Sequence, residues 1–214
     1  MTAVESATRS VLVVGPACDL TDLIVGRFES GQPPARVSRT DLVGRTDLIA
    51  QAVHNVGTLD VLVIDATEQL DVGALDADGA QVASAVGDFA EAFSWCQAVA
   101  PGMRDQGDAV VVIVGTVDGY HSESGGSIRS MVQGGLLGLV RGLGVEWAPL
   151  GIRVVGIAYS RPVEGKEART PPIGRHPTPM EVAQTVEFVA SKDASYVVAE
   201  TIRVDGGFVA YQMF

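Results

Sequence analysis

Charge is scarce in this chain, and what there is leans to one sign. Asp, Glu, Lys and Arg together make up 19% of the 214 residues, and the excess of acids leaves a formal net charge of -11. Such a field repels phosphate backbones, and no cluster of Lys and Arg stands against it, so nucleic acid is not expected as a partner. Cysteine is scarcer still. Cys18 and Cys96 are the only two, too few for a disulfide framework, and the opening stretch 1–9 is polar where a secretory signal needs an apolar run. These absences predict a reduced, cytoplasmic protein. Polar or charged residues also break every hydrophobic segment before it reaches the roughly eighteen residues of a membrane span, so no membrane association is expected. The three histidines, His54, His121 and His176, show no ligand spacing with cysteine or acid, and no metal is expected.

What the chain does have is apolar bulk. It is 47% hydrophobic with a mean hydropathy of +0.26, which implies a large core or an extensive subunit interface. Its length suits one compact domain, and residues 1–214 are read as one. Short Val/Ile/Leu runs recur at Ser10–Val14, Leu59–Ile64, Ala109–Val114, Ile152–Ile157 and Thr201–Val204. Between them lie stretches with apolar stripes at three-to-four-residue spacing: Leu20–Glu29, Arg45–Asn55, Gln81–Arg104, Ile128–Ala148 and Pro179–Ser191. Continuous apolar runs suit strands buried on both faces, and their alternation with helices predicts an α/β fold, a Rossmann-like doubly wound parallel sheet. The stretch Arg161–Pro179, with five prolines, is read as a loop at the site rather than a domain boundary, since a helix and strand follow it.

The second half resembles the classical short-chain dehydrogenase/reductase family along almost its whole length. The residues that carry the resemblance are, in order, Gly138-Leu139-Val140-Arg141, Glu146-Trp147-Ala148-Pro149, Gly151-Ile152-Arg153-Val154, Pro179-Met180-Glu181-Val182-Ala183 and Val204-Asp205-Gly206-Gly207. In the first half, Leu59-Asp60-Val61-Leu62-Val63 matches the family's fourth strand, and Ala98-Val99-Ala100-Pro101-Gly102-Met103 matches the end of its long central helix. Between the first and second helices there is room for only one short strand, around Arg36–Thr40. The resemblance therefore implies a fold shortened by about one strand-helix unit in its N-terminal half.

Set against the family's cofactor site, the chain departs at each element. A dinucleotide needs a glycine-rich turn, because backbone amides and a helix N-terminus must approach its diphosphate. The turn reads Gly15-Pro16-Ala17-Cys18-Asp19-Leu20-Thr21. Gly15 fills the first glycine position, while Asp19 and Thr21 stand at the second and third. A carboxylate beside a diphosphate repels it, and the other reading of Asp19 is a helix cap or first-turn acid offsetting the macrodipole. Where the family has Asn-Asn-Ala-Gly the chain has Ile64-Asp65-Ala66-Thr67, and its later Pro-Gly is replaced by Tyr159-Ser160. Gly15, Asp19, Thr21 and Asp65 are read as a vestigial site, and no cofactor is expected on this chain.

The family's chemistry uses a tyrosine acid/base, a lysine four residues later and a serine thirteen residues before. Aligning the helix that contains Gly134–Val140 puts Arg129 at the tyrosine position and Gln133 at the lysine position, and counting back reaches Thr116 for the serine. Asp88 corresponds to the central helix's asparagine. A guanidinium stays protonated at ordinary pH and an amide carries no charge, so proton transfer by the family's route is not expected. Tyr120 and His121 sit in a Gly- and Ser-rich loop and are read as surface positions.

If the chemistry is lost, the surviving surfaces should show what the chain is for. In the family, helices matching Gln81–Arg104 and Ile128–Ala148 form a four-helix bundle with a neighbour, and the last strand and tail form a second contact. Gly134, Gly135, Gly138, Gly142 and Gly144 suit close approach of a partner or of the chain's own sheet, and both readings stand. Phe208, Tyr211 and Phe214 make the tail aromatic. The resemblance implies a non-catalytic subunit, a pseudoenzyme, that joins an active short-chain dehydrogenase paralogue as a heterotetramer. That partner would carry NAD or NADP and act on a hydroxyacyl thioester or related alcohol. Two other readings stand beside it. One is a homo-oligomeric small-ligand-binding or regulatory module; the other is an oxidoreductase with chemistry rebuilt around Thr116, Arg129, Asp88 and Asp65.

Overall fold

The computed structural model describes residues 9–28, 35–38, 46–67, 72–162 and 170–212. The apolar runs are strands because both of their faces are covered. Every residue of β1 (Val11–Gly15), β3 (Val61–Asp65) and β4 (Ala109–Thr116) is buried, so none of these strands has a polar face to alternate with. With β2 (Ala35–Ser38), β5 (Ile152–Tyr159) and β6 (Thr201–Val204) they form one parallel sheet in the order β2-β1-β3-β4-β5-β6. β2 is the short strand expected near Arg36, and among the described residues no strand lies outside the sheet.

Two helical layers do the covering. Successive strand side chains point to opposite faces. Leu12, Leu62, Val111 and Val154 therefore pack with Ile49, Trp95, Met103 and Val140, from α2 (Thr46–Val56), α3 (Gly79–Arg104) and α4 (Ser127–Trp147). Their neighbours Val13, Val63, Val112 and Val155 face Ile24 and Val186 instead, from α1 (Asp19–Arg27) and α5 (Pro179–Ala190). The arrangement is the doubly wound one, with helices on both faces.

The helix starts are written locally. Asp78 and Gln81 form a capping box at α3, and Thr178 with Glu181 forms another at α5, where Pro179 takes the first helical position. Arg153 ties the far end of α5 to the sheet: its guanidinium donates to the carbonyls of Val189, Ala194, Val197 and Ser191 at 3.0–3.4 Å. Among the described residues no helix is long and apolar enough to cross a membrane.

Strand order reverses between β1 and β3, since β2 lies on one side of β1 and all later strands on the other. In such sheets the crevice at the C-terminal ends of the strands flanking that switch point is where ligands bind. Gly15 closes β1 there and Asp65 closes β3.

Candidate functional site

At the switch point the crevice is lined by a buried acid. Asp65 is fully buried and accepts from Thr21 Oγ1 at 3.0 Å, from the Thr67 N–H at 3.2 Å and from Thr67 Oγ1 at 2.6 Å. Cys18 Sγ lies 3.9 Å from the same carboxylate. Gly15 is glycine because of this acid: a Cβ there would sit 2.7 Å from Asp65 Cβ and 3.0 Å from Thr21 Oγ1. Tyr159, at the end of β5, joins the group through a hydrogen bond with the Thr67 side chain. Burial pushes its phenol up to about 12, with the Asp65 charge adding to the shift. Asp19 is the first residue of α1 and, with Asp22, makes the helix's first turn acidic, the macrodipole-offsetting role open to it from the sequence.

One strand over, the three positions read as catalytic from the family register come together. Gln133 accepts the Thr116 backbone N–H at 2.7 Å through Oε1 and donates to the Ala66 carbonyl at 3.0 Å through Nε2. Its amide thus bridges the ends of β3 and β4, and Gly115 leaves room for it, since an added Cβ would collide with Gln133 Oε1. Thr116 Oγ1 donates to Asp118 Oδ2 at 2.5 Å, and Arg129 Nε donates to Asp118 Oδ1 at 3.3 Å. The Arg129 side chain is 1% exposed and that of Asp118 is 12% exposed, so this is a buried ion pair. Asp118, on the 3-10 turn Val117–Gly119, is the participant that sequence reasoning missed. Its signal was local: an acid two residues beyond Thr116 is the counter-charge a buried arginine requires. Asp88 is half-buried on α3, next to Phe89.

The loops around this cluster correct two expectations. Tyr120 is exposed, though Arg203 stacks over its ring at 5.4 Å. His121, expected at the surface, is instead half-buried, with its ring edge-on to Phe208 at 5.8 Å. Phe208, expected in a subunit contact, is buried with Val117, Ala158 and Val209 of its own chain. It opens a short helix, α6 (Phe208–Gln212), whose first turn is held by Asp205, which accepts from the N–H groups of Gly207 and Val209. Tyr211 is 67% exposed; Phe214 lies outside the described residues.

The α4 glycines divide. Gly135 packs against the Phe89 ring of α3, where a Cβ would meet Phe89 Cε2 at 3.2 Å. Gly134, Gly138 and Gly142 have open space where a Cβ would stand, which places them on the helix's outward side. Exposed Met131 and Val145 of α4 and Phe93 of α3 lie on the same pair of helices. Among the described residues no group of three or more His, Cys, Asp or Glu could hold a metal ion.

A doubly wound parallel sheet with a crevice at its switch point is the architecture of the Rossmann-like folds. Residues 37–209 match the family model described as enoyl-(acyl carrier protein) reductase. An acetoacetyl-CoA reductase of Rhizobium meliloti is 30% identical over 192 residues, 84% of this chain and 80% of that protein. A tropinone reductase homolog of Arabidopsis thaliana is 34% identical over 135 residues, 56% of this chain and 51% of that one, so the chain spans about half the length of that relative. The crystal structure of gox2181 superposes with a TM-score of 0.85 at 25% identity, covering 95% of this chain and 97% of the other. An acetoin dehydrogenase from Enterobacter cloacae shares the fold at a TM-score of 0.80 and 19% identity, covering 96% of this chain and 97% of that one. The chain belongs to the short-chain dehydrogenase/reductase family.

Proposed function

We propose that this chain is a non-catalytic member of its family that assembles with a catalytically intact short-chain dehydrogenase and supports it. The observation that carries this reading is the use of the Gln133 amide. Both of its polar ends are engaged by backbone, at Thr116 and Ala66, where the resemblance calls for a lysine that lowers the pKa of the tyrosine four residues before it. Arg129, at the tyrosine position, is in turn paired with Asp118, and a guanidinium offers donors but no acceptor.

The cofactor crevice supports the same reading. The family works with NAD or NADP, and the residues here do not fit a diphosphate. Asp65 is a fully buried acid in contact with the turn, and Asp19 and Asp22 add charge to the helix end that should attract an anion. The nicotinamide cofactor is accordingly assigned to the partner. The outward face of α4, with Gly134, Gly138 and Gly142 open and Met131 and Val145 exposed, is the surface proposed to receive that partner in a heterotetramer. A hydroxyacyl thioester is the substrate class proposed for the complex, and the relative named acetoacetyl-CoA reductase is the ground for it.

A second reading is favoured by those relatives' names, which are those of reductases and dehydrogenases: an oxidoreductase with rebuilt chemistry. Co-expression with the nearest intact family member of the same genome, followed by native mass spectrometry and a dehydrogenase assay with and without this chain, separates the two. Co-purification in fixed ratio, with the partner unstable or inactive alone, is the expected result. Turnover of a ketone or alcohol with NAD(P)(H) by this chain alone overturns it.

A further inference from the structure

The helix α6 is fastened to the sheet by little. Its five residues include two buried ones, Phe208 and Val209, which form a small cluster with Val117 and Ala158. Two imidazoles close on this cluster from outside. His121, five residues beyond the end of β4, stands edge-on to the Phe208 ring at 5.8 Å between centroids, and His176, ahead of α5, lies against it at 6.3 Å. The Phe208 ring is thus where three segments distant in the chain meet: the loop 117–126, the stretch before α5, and α6 itself.

The seat of His176 suits a neutral ring. Its Nδ1 lies 3.2 Å from Ser160 Oγ, and Ser160 is 1% exposed just beyond β5. The Nε2 atoms of His176 and His121 are both sealed from solvent, with no hydrogen-bond partner among the described residues. A neutral His176 can direct its one proton to Ser160 and leave Nε2 as a bare lone pair. A second proton turns Nε2 into a charged donor without an acceptor, and burying that costs far more than burying the lone pair. The ring must then leave its seat, and Phe208 loses one of the two rings that hold it.

We propose that His176 is the trigger of a pH-sensitive latch: neutral, it closes with His121 on Phe208 and fastens α6 and the loop 117–126 to the ends of β4 and β5; protonated, it swings out and releases them. The charged groups around the latch do not reverse this sense. Burial lowers the pKa of His176 below its ordinary value of 6.5, while the Ser160 contact and Glu123, on the loop 117–126, oppose the shift without cancelling it. Arg175 and Glu181, on either side of His176 in the chain, pair with each other at 2.7 Å. Asp118 pairs with Arg129, and Asp205, which caps α6, lies 3.9 Å from Arg203, the residue stacked over Tyr120. Arg161 follows Ser160, and its charge has the sign that opposes protonation. The released state binds the proton more readily, so opening becomes more favourable as pH falls below about 6.5 and stops gaining once pH is below the folded value. One proton per opening limits the gain to about tenfold for each pH unit. The device needs only this chain's own residues and is independent of the partner reading above.

Amide hydrogen exchange on the whole chain at pH 7.5, 6.5 and 5.5, with protection factors corrected for the intrinsic pH dependence of exchange, tests the latch. The N–H groups of Val209, Tyr211, Tyr120 and His121 donate to Asp205, Gly207 and Val117. They are expected to lose protection as pH falls, by at most about tenfold per unit, and to remain less protected than the amides of β4 at each pH. In His176→Phe, where a ring against Phe208 is kept and the titrating group is gone, their protection should not change with pH; in His121→Phe the loss should persist. Should His176→Phe not fold, the parent alone decides, because the loss must follow the protonation of His176 read from its Cε1 proton shift. Protection that stays constant over the range, falls equally in His176→Phe, or fails to track His176 overturns the proposal. So do amides as strongly protected as those of β4, which would mean that these segments open only when the whole protein unfolds.

Discussion

The Gln133 side-chain oxygen accepts the backbone N–H of Thr116 at 2.7 Å, while its amide nitrogen donates to Ala66 on the neighbouring strand end at 3.0 Å. One side chain from α4 thus ties together the ends of two neighbouring strands, β3 and β4. Replacement by Ala leaves a buried N–H and a buried carbonyl without that partner, at a cost of about 1–3 kcal/mol for each group left unsatisfied. Gln133→Ala is expected to lower the urea midpoint accordingly with an unchanged m-value. A Gln133→Ala protein as stable as the parent would show that the bridge does not matter.

Restoring the family's tyrosine and lysine should not restore chemistry. In an Arg129→Tyr/Gln133→Lys double variant the Asp118 carboxylate loses its buried partner, which is 3.3 Å away and 1% exposed, and the introduced ammonium would lie beside strand ends built for a neutral amide. The expected result is loss of stability, of the order of 3–5 kcal/mol for breaking a buried pair, and no turnover with NAD(P)(H) and acetoacetyl-CoA. Measurable turnover would mean that the crevice still accepts a dinucleotide despite Asp65 and Asp19.

How much of this could be read beforehand depended on the range of each interaction. β3 and β4 were plain because a strand covered on both faces reads as an unbroken apolar run, and α3 and α5 because each carries an apolar stripe at three-to-four-residue spacing; the capping boxes that start them, Asp78 with Gln81 and Thr178 with Glu181, were found only in the structure. The register that brought Thr116, Arg129 and Gln133 together rested on the spacing along one strand and one helix, which folding preserves. Long-range partners were not visible. Asp65 takes Thr21 from 44 positions away, and Arg153 takes four carbonyls from 36 to 44 positions away. The five-residue α6 was missed for another reason. An aromatic tail looks the same whether it packs on its own chain or on a neighbour, and only the buried ring of Phe208 distinguishes the two.

Gly15 and Asp65 make a close packing pair that allows no addition. With 2.7 Å between the would-be Cβ and Asp65 Cβ, and with Asp65 held by Thr21 and Thr67, neither side can move cheaply. Gly15→Ala should destabilise by about 1–3 kcal/mol, the range for an added methyl in a filled interior. The paired change Gly15→Ala/Asp65→Gly should recover part of that loss, and a double-mutant cycle by urea denaturation reads the coupling. Strict additivity would remove the steric account of why the turn keeps this glycine.

The two thiols should differ sharply in reactivity. Cys96 is buried, and desolvation pushes its thiol up to about 12, so almost none of it is thiolate at pH 8. Cys18 is only partly buried at the head of α1. A native titration with a chromogenic disulfide is therefore expected to give one thiol per chain, and Cys18→Ser none, with the second appearing only in denaturant. Two thiols reacting at the same rate in the native protein would mean that the layer of α3 over the sheet opens freely.

His176 should make stability fall as the solution becomes acidic. Burial lowers its pKa in the folded chain below the ordinary value of 6.5, the Ser160 contact and Glu123 opposing without reversing the shift. The unfolded chain then binds the proton more readily than the folded one, so unfolding free energy has a positive slope with pH over the interval below about 6.5. The contribution is fully present above the unfolded value and is lost as pH falls through the folded one. Urea midpoints measured from pH 7.5 down to 5.5 should therefore decline, and more gently in His176→Phe, in which the titrating ring is gone and contact with Phe208 is kept. His121→Phe at the same pH values separates the two rings. A pH profile identical in the parent and in His176→Phe would mean that His176 takes up its proton equally well folded or unfolded, against the burial of its ring beside Phe208.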